Sequence, residues 1–288
     1  MEKGTSESRR ELLQLVGAFA AAGGAFACAK NAHAQNQAAF QIGVAPNVSA
    51  RIILTNYRPM REYLAARLAR TVEIATATDL REFQRRTLGG AYDLVFTPAN
   101  LAFVAEEDGK LEVLGGFEPP IPALFVTRKD ASAPTLEALR GKGLALANPQ
   151  SLVAMSAKAT LANAGLRADA DYRPTWARNE DSLAQLLSGG DTPMAAMSMG
   201  EFRSLRDEIR QTLEFREFAR VPNFIVLAGK PMAPAALAQL RAVLGAFAET
   251  ELGREFQSLT GVQRIRAVPD ADRAAIAPVL AETRAALR

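Results

Sequence analysis

Cysteine and histidine are almost missing: Cys28 and His33 stand alone in 288 residues. Both fall in an N-terminal stretch that reads as an export leader, so the mature chain expected from this sequence has neither. Such a chain has no disulfide, no thiol nucleophile and no imidazole base. The common zinc ligand sets, which draw on Cys or His, are excluded with them. Tryptophan is as scarce, with only Trp176. Excess charge is lacking too, since Lys and Arg exceed Asp and Glu by only three. No block rich in Lys or Arg occurs, which argues against a nucleic-acid partner. With 49% hydrophobic residues, the chain suffices for one large domain or two small lobes.

The leader is the first feature that is present rather than absent. Ser8-Arg9-Arg10-Glu11-Leu12-Leu13-Gln14 precedes the uncharged, Ala/Gly-rich stretch LLQLVGAFAAAGGAFACA, which ends near Asn31-Ala32-His33-Ala34. Small residues stand at the two positions a signal peptidase reads, so residues 1–34 are expected to be a secretory signal cleaved after Ala34. The paired arginines followed by two leucines resemble a twin-arginine export signal. Cys28 follows Ala25-Phe26-Ala27, a poor lipoprotein box, so no lipid anchor is expected. The predicted location is the periplasm. Cleavage removes four basic and three acidic side chains and leaves a net charge of +2.

Short apolar runs then alternate with amphipathic stretches. Strands are predicted at Phe40–Ala45, Val72–Ala77, Asp93–Thr97, Leu111–Leu114 and Pro122–Thr127, with helices at Pro59–Ala69, Leu80–Leu88 and Pro98–Glu107 between them. From Asp130 the rhythm restarts: a helix at 151–163, strands at Arg173–Ala177 and Pro193–Met199, and a helix at Phe202–Leu213. Phe215–Ala219 and Asn223–Ala228 read as a strand pair. Helices at Pro234–Ala248, Leu252–Leu259 and Asp270–Leu287 close the chain. Strand–helix–strand alternation implies an α/β fold with mostly parallel sheets flanked by helices. No linker interrupts it, so two lobes would be joined by strands, with crossings expected over Ala123–Arg128 and Val221–Leu227.

Enzyme signatures fail on inspection. Ala196-Met197-Ser198-Met199-Gly200 approximates a nucleophile elbow but has Ala for the first Gly and no histidine to activate Ser198. Gly141-Lys142-Gly143 lacks the third glycine of a dinucleotide fingerprint, and no Walker sequence is present. What does recur is a strand-to-helix turn bearing small polar groups. Asn47 and Ser49 follow the first strand; Thr97 and Asn100 follow Asp93–Thr97, with Phe96 before them. Asn148 and Ser151 follow Gly143–Ala147, and Asn179 and Glu180 follow the Trp176 strand. Each turn puts hydroxyls or amides at a helix start, where they cap free N–H groups or meet an anion. In open α/β sheets, ligands bind beyond the carboxyl ends of the strands. Four such turns, two from each half, predict a shared cleft. Ser198, closing the apolar strand Pro193–Met199, joins the candidates.

Longer segments carry a family resemblance. IGVAPNVSARI with YRPMREYLAARL, LGGAYDLVFTPANLAFV, LFVTRKDASAPTLEALRGKGLALANPQS and RVPNFIVLAGKPMAP resemble, in that order, the phosphonate-type (PhnD-like) solute-binding proteins of ABC importers. The resemblance covers nearly all of the mature chain. It implies a two-lobed clamshell of the type 2 periplasmic-binding-protein fold, with 35–126 and 224–288 as lobe 1 and 127–223 as lobe 2. It also implies capture of a small solute between the lobes, delivery to an inner-membrane ABC permease, a monomer, and no cofactor, metal or catalysis. The departures concern the ligand. The family's Asp-Pro-x-Ser-Thr-Ser turn is here Asn148-Pro149-Gln150-Ser151-Leu152-Val153, which keeps one hydroxyl of three. Its Tyr or Gly-Pro after the Asp93 strand is Phe96-Thr97-Pro98, its second-lobe histidine is replaced by Asn179 or Glu180, and its later Asp aligns among Asp191, Thr192 and Met194. The expected ligand is therefore a small organic or phosphorus-containing solute, with an anionic group and an apolar part. A sulfonate, thiamine precursor or carboxylate, a sensor role presenting the closed form to a receptor, and an enzyme using Ser198 remain as alternatives.

Overall fold

Leu94-Val95-Phe96-Thr97 is buried at all four positions, as a strand needs when both faces of its sheet are covered. In the computed structural model, which describes residues 38–288 except 132–134, 179, 190 and 191, this segment sits inside a six-stranded sheet. The predicted leader, Asn179 and Asp191 lie outside the described residues. The strands are β1 (Phe40–Val44), β2 (Val72–Ala75), β3 (Leu94–Thr97), β4 (Glu112–Glu118), β5 (Ile121–Arg128), β6 (Gly143–Leu146), β7 (Arg173–Trp176), β8 (Met194–Ser198), β9 (Leu213–Val221), β10 (Ile225–Ala228) and β11 (Arg264–Arg266). One sheet runs β11-β4-β10-β3-β1-β2, the other β7-β6-β8-β5-β9.

The strand–helix–strand segments give the parallel pairs, β1 with β2 and β3, and β6 with β7 and β8. The remaining pairs are antiparallel, so both sheets are mixed. β9 and β10, adjacent in sequence, do not pair with each other; they belong to different sheets. Alternation along β5 divides the second sheet's core: Leu124 and Val126 pack on one face with Leu183, Met197 and Phe202, and Phe125 packs on the other with Leu146, Leu161 and Met194.

The helices flank these sheets: α1 (Ala50–Leu68), α2 (Leu80–Leu88), α3 (Ala99–Gly109), α4 (Leu152–Asn163), α5 (Glu180–Ser188), α6 (Met199–Ser204), α7 (Asp207–Arg210), α8 (Pro234–Ala246), α9 (Glu251–Thr260), α10 (Asp270–Ile276) and α11 (Leu280–Leu287). α1 corrects the expected helix from Pro59: it begins nine residues earlier and carries Pro59 in its interior. A proline there forfeits one backbone bond, and burial of Ile53, Tyr57, Met60 and Leu64 along one side holds the helix through it. The expected helix Phe202–Leu213 is two short turns instead, because Leu213 already pairs with Arg128 in β9. In α9, Gly253 permits a close approach: a Cβ there would lie 2.0 Å from the Phe247 carbonyl oxygen.

β5 pairs along its whole length in the second sheet. The chain therefore leaves the first sheet at Pro119-Pro120, not within Ala123–Arg128. It returns through Pro222-Asn223-Phe224 into β10. Asn223 Nδ2 donates to the Pro119 carbonyl at 2.7 Å, so the two crossings run side by side; the Glu118–Pro119 peptide is cis. Away from this hinge the lobes also touch. Leu152 and Val153 of α4 join the first lobe's core, and Lys158 of α4 pairs with Glu282 of α11. Among the described residues, no helix is long and apolar enough to cross a membrane.

Candidate functional site

Turns from the carboxyl ends of β1, β3, β6 and β8 meet between the lobes, the β3 turn through Pro98 alone. Asn47, Pro98, Asn148, Ser151 and Ser198 line an inner chamber of about 50 Å³, with Glu201, Phe224 and the apolar pair Leu152 and Val153. That space holds a few waters. It adjoins an outer chamber of about 440 Å³, within the range of ligand pockets. Asn47, Ile121, Ser198 and Phe224 line both. The outer chamber lies between α1 and α9 of the first lobe and α6 of the second, with the prolines of the hinge behind it.

Local sequence explains each polar group. Ser151 is the N-cap of α4, its Oγ accepting from the Ala154 N–H at 3.3 Å. It therefore caps its helix and lines the inner chamber at once. Ser151→Ala should cost about 1 kcal/mol of stability, read from urea unfolding; an unchanged midpoint would mean the cap contributes nothing. Asn148, two residues after β6, has a buried Oδ1 with no protein partner. Ser198 caps α6 in a reciprocal box: its Oγ accepts from the Glu201 N–H at 3.1 Å, and the Glu201 carboxylate accepts from the Ser198 N–H at 2.6 Å.

Two carboxylates mark this region. Glu180 is 1% exposed, and its Oε2 accepts from the Ser49 N–H across the lobes at 3.0 Å. Ser49 makes no side-chain cap of α1. Glu201 is 5% exposed. Burial pushes its carboxyl up to about 7, and the nearby Glu180 charge adds to this against the lowering effect of its bonds to Ser198. No cluster of three or more His, Cys, Asp or Glu suited to a metal occurs among the described residues.

Of the residues predicted from sequence, Asn47, Asn148, Ser151 and Ser198 thus gather in one place, and Ser49 meets Glu180 beside them. Phe96, Thr97 and Asn100 line neither chamber. Phe96 packs on Tyr57 and Phe117 at 5.3 and 5.5 Å between ring centroids. Thr97 is fully buried with an unpartnered hydroxyl. Both are covered because β3 is an interior strand, between β1 and β10. Asn100 bridges the lobes: its Nδ2 donates to the Gln150 carbonyl at 3.0 Å and to Thr283 Oγ1 at 3.1 Å. Asn179 lies outside the described residues. Glu201 and Arg203 were not anticipated. Glu201 had a legible signal, since Ser198-Met199-Gly200-Glu201 is a capping-box spacing. Arg203 had none.

The sequence matches the family model described as "ABC transporter, phosphonate, periplasmic substrate-binding protein" over residues 42–272. None of the curated proteins matches it. Among solved structures, it is similar to PhnD1 of Prochlorococcus marinus in complex with methylphosphonate (11% identity, 86% of this chain and 97% of that one, TM-score 0.74). It is also similar to a binding-protein component of an ABC phosphonate transporter from Pseudomonas aeruginosa (13%, 88% and 90%, 0.70). A third similar structure is XAC2383 of Xanthomonas citri bound to ATP (20%, 87% and 98%, 0.68). These likenesses show a shared two-lobed fold.

Proposed function

This chain belongs to the periplasmic substrate-binding proteins of phosphonate-type ABC transporters, and we propose that it captures a small organic solute in the cleft described above and delivers it to the permease of such a transporter. The observation that carries this reading is the convergence of turns from both lobes on one cleft that opens into a chamber of about 440 Å³. A solute touching both lobes favours the closed arrangement over the open one, and the closed form is what a permease can recognise. The paired crossings at Pro119-Pro120 and Pro222-Asn223 are the natural axis of that motion. Capture needs no bond-breaking group, and in this reading Ser198 acts as a helix cap rather than a nucleophile. We further read residues 1–34 as a twin-arginine leader removed after Ala34, and the mature protein as a periplasmic monomer.

Thermal unfolding of the purified protein with a solute panel tests this. Methylphosphonate, phosphate, alkyl and aryl sulfonates, and aliphatic and aromatic carboxylates form the panel. At least one organic solute is expected to raise Tm progressively with its concentration, as binding to the folded state alone requires. No concentration-dependent shift with any of them would count against capture.

A further inference from the structure

The two chambers of the cleft differ in charge. Among the described residues, the only charged side chain lining the inner chamber is the carboxylic Glu201, and the only one lining the outer chamber is Arg203. Arg210 pairs with Asp207 and Arg220 with Glu217, whereas Arg203, like Arg206 and Arg216, has no carboxylate partner among the described residues. Its guanidinium extends from α6 to the first lobe, where a Cβ at Gly261 would sit 2.8 Å from its Nη1. Gly261 ends α9 in the left-handed conformation, φ +78°, which a glycine adopts without strain. The arginine therefore spans the chamber from one lobe to the other.

The walls suit a body rather than a small ion. Phe224, Tyr57, Phe117 and Pro119 offer apolar surface, and Leu259 is 39% exposed at the same place. Amides of Asn56 and Gln257 line the chamber as uncharged donors. The inner turns, by contrast, are poor hosts for an anion. The Ser49 N–H at the start of α1 is taken by Glu180, Glu201 faces the same space, and Leu152 and Val153 supply no hydroxyls. An anion there would lie near Glu180 and, once it is ionised, Glu201, with no cationic side chain among the described residues that line the chamber.

We propose that the solute is an organic carboxylate with an aromatic or branched apolar body, seated in the outer chamber with its carboxylate on Arg203 and its body against Phe224 and Tyr57. This rests on the capture reading above and names its substrate class. A guanidinium fork matches a carboxylate in two parallel hydrogen bonds, and because Arg203 belongs to α6 while Gly261 caps the end of α9, a carboxylate held there touches both lobes. Glu180 then acts as a tethered anion that fills the helix start and turns phosphonates away.

The test is titration calorimetry of the full chain with benzoate, phenylacetate and indole-3-acetate. Benzyl alcohol serves as the neutral isostere and methylphosphonate as the competing class. At least one of the three carboxylates is expected to bind, with benzyl alcohol and methylphosphonate silent. Arg203→Met, which keeps an apolar stem, should weaken that carboxylate by roughly ten- to a hundred-fold, and Arg203→Lys should fall between. Arg203 is exposed, so both variants should fold, as unchanged circular dichroism will verify. Equal carboxylate affinity in wild type and Arg203→Met overturns the proposal and leaves capture standing. Binding of methylphosphonate alone does the same and moves the ligand to the inner turns. Silence toward all five probes, in a protein whose Tm some other solute raises, overturns the proposal alone. Silence toward every solute overturns both.

Discussion

Asn100→Asp is expected to open the protein. Asn100 is fully buried, and its amide NH₂ is the group that holds α3 of the first lobe to the Gln150 carbonyl just before α4 and to Thr283 on α11. Aspartate is nearly isosteric but replaces that donor with an acceptor. When ionised, it sets a buried charge against a carbonyl oxygen with no cation at hand. When protonated, it has one hydrogen to offer in place of two. Removing one side of a buried, paired interaction of this kind costs roughly 3–5 kcal/mol. Most of that cost is relieved if the lobes part and water reaches the carboxylate. The radius of gyration from small-angle X-ray scattering should therefore rise, and the unfolding midpoint should fall. Unchanged values of both would mean that Asn100 does not hold the lobes together.

The second large effect depends on pH. Burial pushes the Glu201 carboxyl up to about 7 in the folded chain, from 4.5 when exposed. The folded state therefore binds the proton more tightly than the unfolded one. Its contribution is fully present below pH 4.5 and is lost as pH climbs through 7, a difference of about 3 kcal/mol. Gln at this position carries no charge at any pH, and its amide oxygen can still accept from the Ser198 N–H. Glu201→Gln should thus unfold at nearly the wild-type temperature at pH 5 and roughly 5–10 °C above it at pH 8. Parallel melting curves across that range would show that Glu201 is not held in the desolvated state described here.

These two residues also illustrate how much could be read in advance. The turns after β1, β6 and β8 were legible because helix starts select a few polar residue types, and strand ends in an α/β layer place them together. Family resemblance supplied the two-lobed frame. Asn100 was legible as polar and misplaced in role, since its partners lie 50 and 183 residues away and no local pattern encodes such distances. Glu201 stands in a readable capping box, but that local pattern carries no sign of its burial between the lobes. The start of α1 was hidden by Pro59, which ordinarily opens a helix rather than riding inside one. Arg203 is an exposed arginine like many others, and only its reach to Gly261 sets it apart.

The hinge has a consequence for how the molecule is assembled. β10 sits between β3 and β4 in the first sheet, yet the chain delivers it only after the whole of the second lobe. The second lobe is one uninterrupted stretch from β5 to β9, whereas the first stays an open sheet with a missing middle until residues 225–228 arrive. Contacts separated by so many residues form late. Pulse-labelled hydrogen exchange during refolding should find β5 and β8 protected before β4, whose partners β10 and β11 both follow the second lobe. The insert comes to rest first, and the lobe that holds both flanking segments closes around its return.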